Sequence, residues 1–301
     1  MPLELIHSDL SGPFPVESLG GYKYFLTFID DFTHYTWTYL LVNKSDVAKI
    51  FQEFLSSVEL ESGQLVKILR TDGGREYLGA VSDLLKSKGI KHQTTTPYTP
   101  QQNGVSERMN RTLCETMRCM MHDGNLPQSL WGEAIMTVTY LRNRCPTSVL
   151  KDKTPYEAWT GKRPDISNLR AFGCVAYKHV PDEKRDKLAK SEKCRMVCYG
   201  VGQKGWKLWN PKNWKIITSA DVLFNENDYE DGDSGNVSES NQSNTEILNS
   251  FVAPTISSRH NESSVNPFTV PFKASFQDQY GKLKDLSVNE SPVEEEANKM
   301  S

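Results

Sequence analysis

Residues 94–113 read TTTPYTPQQNGVSERMNRTL. The first half sets Pro97, Pro100 and Gly104 among β-branched and amide side chains, a mixture that neither a helix interior nor a central strand tolerates. It is a shaped loop. The second half changes period: Val105, Met109, Leu113, Met117 and Met120 recur at helical spacing, which puts Glu107 on the first turn of a helix. An acid there is commonplace, because the helix macrodipole favours it by about 0.3–1 kcal/mol. Flanked by Arg108 and Arg111, the same acid also suits the edge of a polyanion site. The choice depends on what the rest of the chain brings to Glu107.

Upstream, residues 90–95 have strand character, residues 78–88 form a helix stopped by Gly89, and residues 65–71 form a strand ending at Asp72-Gly73-Gly74. Before these, Val47, Ile50, Phe51, Phe54, Leu55 and Val58 make one apolar stripe of a helix that Ser45 can cap and Gly63 can end. Three short strands come first: residues 3–9 ending at Asp9, residues 22–29 (YKYFLTFI) and residues 36–42 (TWTYLLV). Their short connections force antiparallel pairing. The order β-β-β-α-β-α-β-α predicts an α/β domain: a mixed five-stranded sheet flanked by helices.

Downstream, Ser129 can cap a helix bearing Leu130, Trp131, Ala134, Ile135, Val138 and Leu141, and then Pro146, Pro155 and Pro164 punctuate an extended connector. From Ala171 short aromatic strands alternate with turns, the pattern of a small β-barrel. The expected organisation is a core over residues 1–145, a connector over 146–170, a barrel over 171–227 and an acidic Ser/Asn-rich tail over 228–301 whose composition predicts disorder. Charge follows this division: 13 acids and 5 bases give residues 228–301 a net −8, which leaves +5 on residues 1–227 out of a total of −3. A basic folded part permits a nucleic-acid partner. No apolar run approaches the ~18 residues of a membrane-spanning helix, so no membrane partner is expected. The six cysteines form no framework and no secretory leader precedes them, which points to reduced thiols inside the cell. Cys194 and Cys198 share one strand face with Met196, so burial accounts for them better than metal does.

Three carboxylates remain: Asp9 and Asp72 at strand ends and Glu107 at a helix start. Any one alone is a common turn or cap residue. Together at one sheet edge they can converge on divalent cations, since Mg²⁺ takes hard oxygen ligands and a pair of such ions can serve an in-line phosphoryl displacement. Asp30 and Asp31 read as turn caps, His7 as a packed or hydrogen-bonded side chain, His92 as an exposed sheet residue, and no Ser-His-Asp arrangement is supported. Arg70, Arg75, Lys91, Gln102, Asn103, Arg108, Asn110 and Arg111 lie near the acidic edge or along the Glu107 helix, as does Arg118, and are the candidate DNA-binding set. Runs 184–187 and 161–163 read as solvated surface, and Trp206, Trp209 and Trp214 as barrel core and rim.

The motifs HSDLSGP (residues 7–13), FLTFIDDF (25–32), RTDGGREY (70–77) and PYTPQQNGVSERMNRTL (97–113) resemble the integrase core of copia-type LTR retrotransposons. The resemblance continues through FGCVAYKHV, KCRMVCYGV, LWNP and ADVLFNE, which look like the SH3-like module that follows that core in the Pol polyprotein. It implies an RNase H-like fold and D-D-E catalysis in which Asp9, Asp72 and Glu107 match the metal-binding acids, with two Mg²⁺ or Mn²⁺ ions as cofactors. It further implies DNA as partner, both element ends and target, joined by strand transfer, with a homo-oligomer as the active form and the nucleus as site of action, the cytoplasm otherwise. The chain departs from the family at Gly73, where Asn is usual, and in the 34 residues between Asp72 and Glu107, one fewer than usual. With no His-His-Cys-Cys zinc module before Leu3 and no Tyr-x-Asp-Asp signature after the barrel, it reads as a fragment of a polyprotein. Two alternatives stay open: a catalytically decayed or domesticated DNA-binding remnant, and an RNase H-type nuclease.

Overall fold

The computed structural model describes residues 1–94, 104–180, 190–200 and 205–227. The expectations for Gln102, Asn103, the 184–187 run and the 228–301 tail lie outside the described residues.

Five strands form the first sheet: β1 (Leu5–Ser11), β2 (Tyr24–Asp30), β3 (Thr36–Leu41), β4 (Ile68–Thr71) and β5 (Lys91–Thr94). Their order is β3-β2-β1-β4-β5. The first three pair antiparallel, and β1–β4 and β4–β5 pair parallel, so the sheet is mixed as its connections predict. β1 is the middle strand. Ile6, His7 and Ser8 on it are fully buried, because helices cover both faces.

On one face α1 (Val47–Ser62) and α2 (Ala80–Lys88) pack. Phe51, Phe54, Leu55 and Val58 of α1 share a cluster with Leu26, Phe28 and Trp37, and the Phe28 and Phe54 rings stack with centroids 4.2 Å apart. Gly63 ends α1 at φ 68°, a left-handed conformation that glycine adopts without a Cβ penalty. On the other face lie α3 (Gly104–Asp123) and α4 (Trp131–Arg142). Leu113, Met117, Leu130, Trp131, Ile135 and Val138 surround Phe25 of β2 there.

The connector departs from its expected extended form. Pro155 is the first residue of helix α5 (Pro155–Thr160): Thr154 caps it by accepting from the Glu157 amide at 3.0 Å, and Gly161 closes it at φ 71°. Proline fits the first helical turn, where its missing N–H has no partner to lose. The helix docks: Tyr156 and Trp159 pack on the α1 cluster, with Trp159 edge-on to Trp37 at 4.9 Å.

A second, wholly antiparallel sheet follows, consisting of β6 (Val175–His179), β7 (Ser191–Tyr199), β8 (Trp206–Asn210), β9 (Lys215–Ser219) and β10 (Val222–Asn225) in the order β10-β6-β7-β8-β9. A bulge in β7 between Met196 and Cys198 corrects one expectation. One extra residue moves later side chains to the opposite face: Cys194, Met196 and Tyr199 line the interior, whereas the Cys198 thiol meets Thr137 of α4. All six cysteines are free thiols. Among the described residues no helix is long and apolar enough to cross a membrane.

Candidate active site

Asp9 does not end the central strand as expected: it is paired across from Thr27, and β1 continues through Leu10 and Ser11 against Leu26 and Phe25. One turn into α3 from Glu107, Asn110 is 5% exposed. Its Nδ2 donates to Asp9 Oδ2 at 2.9 Å, and its Oδ1 accepts from the Thr27 hydroxyl at 2.9 Å. The Asp9 carboxyl is pushed up to about 6, first by burial and then by the charge of Asp72; the Asn110 hydrogen bond opposes this and the Glu107 charge adds to it. Three acids therefore feel one another at this sheet edge.

Asp72 follows β4 directly. Its Oδ1 accepts from the Gly74 amide at 3.1 Å, an Asx-type turn that bends the carboxylate back over the chain. A Cβ on Gly74 would stand 2.8 Å from Asp72 Oδ1 and 2.9 Å from the Glu76 carboxyl carbon. Glycine is required there by close approach, since its φ of −60° is ordinary. Below the turn Tyr77 is buried with its hydroxyl hydrogen-bonded to Ser8 at 2.9 Å. Its phenol is pushed up by burial, while the Ser8 bond lowers it and the charges of Asp9, Asp72 and Glu76 raise it further.

Glu107 is exposed on the first turn of α3. Glu107 and Asn110 lie three apart on one helix face, so the helix that presents the third acid also clamps the first. Carboxylate oxygens crowded in this way are hard donors whose mutual repulsion a divalent cation relieves, and the donor set fits Mg²⁺ or Mn²⁺. Among the described residues no three His, Cys, Asp or Glu side chains form a closed cluster ready to hold a metal ion.

The remaining candidates divide. Arg75, Arg108 and Arg111 are exposed on the segments that carry Asp72 and Glu107, and the Arg108 guanidinium folds back over Gly104. Lys91, expected near the acidic edge, is exposed but pairs with Ile68 at the opposite end of β4 from Asp72. Arg70 is half-buried and bonds Gln93 Oε1 through Nε at 3.1 Å and Nη2 at 2.8 Å. Asn110, expected at the DNA surface, is turned inward because both ends of its amide are committed. Asp30 is a turn cap as expected, accepting from Leu3 N, Thr33 N and the Thr33 hydroxyl at 2.7, 2.8 and 2.6 Å. His7 is fully buried and bonded to Asp31 at 2.8 Å; burial holds it below the usual imidazole range. His92 is half-buried against the Thr71 hydroxyl at 3.0 Å rather than exposed. Sequence reading missed Thr27, Tyr77 and Glu76. For Asn110 the i+3 spacing from Glu107 was the available signal.

Comparison with known proteins gives three family matches. Residues 1–100 and 88–130 match integrase core domain families, and residues 174–238 match the retroviral polymerase SH3-like domain. The chain is 46% identical over 228 residues to the retrovirus-related Pol polyprotein from transposon TNT 1-94 of Nicotiana tabacum, covering 75% of this chain and 17% of that protein. It is 34% identical over 226 residues to the Pol polyprotein from transposon RE2 of Arabidopsis thaliana, covering 75% of this chain and 15% of that one. The chain thus spans a small part of the relatives it matches. Among solved structures it is similar to a chain of a simian T-cell lymphotropic virus intasome in complex with PP2A regulatory subunit B56 gamma, with 16% identity and a TM-score of 0.44 over 74% of this chain and 76% of that chain.

Proposed function

From a chain that carries an integrase core domain followed by a retroviral polymerase SH3-like domain, and that is related to Pol polyproteins of plant transposons, we propose a divalent-cation-dependent DNA strand transferase that joins element DNA ends to target DNA. The observation that carries this reading is the shared electrostatics of Asp9, Asp72 and Glu107, with the first held by Asn110.

Asp9, Asp72 and Glu107 would hold two Mg²⁺ or Mn²⁺ ions. When bound, these supply Lewis acidity and orient the attacking and leaving oxygens. The 3′-hydroxyl of the element end loses its proton to solvent as its oxygen bonds to the target phosphorus, the phosphorus to 3′-oxygen bond of the target breaks, and the released 3′-oxygen takes up a proton from solvent. Asn110 and Thr27 keep the Asp9 carboxylate in place, and the Gly74 amide does the same for Asp72. Arg75, Arg108 and Arg111 supply positive charge for phosphates, which makes binding fall with salt. Activity as a homo-oligomer at nuclear DNA belongs to the same proposal.

The test is incubation of the full chain with element-end DNA and Mn²⁺ or Mg²⁺. Joined product from wild type and none from Asp72→Asn supports the proposal, and equal product from both refutes it. A second reading, a DNA-binding remnant without catalysis, is favoured by Gly73, by the short interval from Asp72 to Glu107 and by the exposure of Glu107. Salt-dependent DNA binding with no metal-dependent product selects it. Cleavage of RNA–DNA hybrids would select an RNase H-type nuclease.

A further inference from the structure

The second sheet does not hang from the first by its connector alone. Val197 of β7 and Trp209 of β8 lie in one apolar cluster with Phe25 of β2, Leu113 and Met117 of α3, and Trp131 and Ile135 of α4. Helix α4 is bonded to both sheets: the Thr139 and Thr38 hydroxyls pair at 2.7 Å, and the Thr137 hydroxyl donates to the Val197 carbonyl at 3.0 Å. At the end of this layer lies Arg195 of β7, 1% exposed. Its Nε donates to the Gly173 carbonyl at 2.5 Å and its Nη2 to the Gly124 carbonyl at 2.6 Å.

Gly124 is the first residue past α3. The two glycine backbones touch, since a Cβ on Gly173 would stand 2.8 Å from Gly124 Cα, and Gly173 has φ +79°. A guanidinium at a helix C-terminus complements the macrodipole there. Its planar fork delivers two donors in fixed directions, which here tie two segments together.

We infer that β6–β10 is a fixed layer of the catalytic unit and that Arg195 is the positioning residue that registers this layer to α3. The helix is then held at both ends, by Asn110 on Asp9 and Thr27 and by Arg195 at Gly124. The part of β7 and β8 that faces α3 and α4 is closed and the opposite face is the buried interior of this unit, so any nucleic acid reaching this sheet meets the edge strands β9 and β10 or the turns. That the helix so held presents Glu107 to metal ions rests on the function proposed above; the docking itself does not.

Amide hydrogen exchange and urea unfolding of the full chain test this without DNA or metal, so failure of the strand-transfer proposal leaves the outcome readable. Arg195→Met keeps the stem and removes both donors, whereas Arg195→Lys keeps the charge and one donor direction. Wild type unfolds in one transition if the inference holds. Arg195→Met then raises exchange in residues 117–126 at least tenfold together with β6–β8, and Arg195→Lys recovers part of that protection. Two separated transitions in wild type overturn the inference, as does wild-type protection of residues 117–126 alongside loss in β6–β8. Should Arg195→Met fail to fold, the same exchange comparison on Arg195→Lys decides: raised exchange in both segments supports it, and in β6–β8 alone overturns it.

Discussion

Asn110 and Asp9 are joined by a 2.9 Å hydrogen bond across 101 residues of chain, from the helix that carries Glu107 to the middle strand of the first sheet. The bond makes the position of one acid depend on the helix that presents another. Asn110→Ala removes it and leaves the buried Thr27 hydroxyl only its longer contact to the Asp9 carbonyl, at 3.3 Å. Loss of a hydrogen bond to a charged group costs about 1.5–3 kcal/mol, so chemical denaturation should show a loss of that size, with DNA joining reduced at least tenfold. Asn110→Gln should not restore joining, because the longer side chain places its amide differently. Wild-type activity in the alanine variant would remove Asn110 from the site.

The Asp9 carboxyl predicts a pH dependence whose sign is set by its raised value. The folded protein binds this proton more tightly than the unfolded chain does, so the stabilising contribution is present below the ordinary carboxylate value and is lost as pH rises through about 6. Above that, in the absence of divalent metal, the ionised group disfavours folding. Asp9→Asn should therefore be more stable than wild type at pH 7.5 in chelator, by on the order of 1–2 kcal/mol after allowing for partial solvent access. The difference should shrink towards pH 4. Urea midpoints at the two pH values measure it, and a pH-independent difference would exclude this origin.

The same carboxylates predict a metal effect without any turnover. Mn²⁺ should raise the melting temperature of wild type, because a ligand that binds only the folded state stabilises it by mass action. Asp9→Asn and Asp72→Asn should show a markedly smaller rise. An equal rise in all three proteins would place the ion elsewhere.

Adjacent glycines should respond in opposite ways. At Gly73 an added Cβ meets nothing within 4 Å, so Gly73→Asn should fold as wild type does. At Gly74 an added Cβ collides with the Asp72 carboxylate and the Glu76 carboxyl carbon. Gly74→Ala, in a partly buried turn, should cost no more than about 1 kcal/mol, because the atoms it meets are ends of the Asp72 and Glu76 side chains, while joining activity falls more than tenfold. Unaltered joining in Gly74→Ala would show that Asp72 tolerates the shift.

Docking of the connector helix is testable by truncation. Trp159 is partly buried against Trp37 and Tyr35 and its indole N–H reaches Glu61 at 3.1 Å. Trp159→Ala should cost about 1–3 kcal/mol, less than the 3–5 kcal/mol of a fully buried tryptophan. A change below 0.5 kcal/mol, a bound set by ordinary surface substitutions, would mean that α5 adds little to the core.

Hydrophobic periodicity along the chain was enough to determine the two sets of strands, the four long helices, and Asp72 and Glu107 at element ends. Each of these depends on side chains spaced two or three to four residues apart, a local property. Asp9, expected at a strand tip, lies inside β1, which runs on to Ser11. Tertiary structure alone decided which polar groups meet. Asn110 looks like a surface amide until β1 and β2 bring Asp9 and Thr27 beneath it, and Arg195 looks like a strand cation until Gly124 and Gly173 turn their carbonyls towards it. The connector prolines read as extended because Pro155 at a first helical turn is recognisable only once Thr154 caps it and Trp159 has a surface to pack on. The β7 bulge moved Cys198 off its expected face, because an extra residue in the ladder reverses the alternation beyond it and turns Cys198 towards Thr137 of α4, a shift that shows only in the pairing with β8.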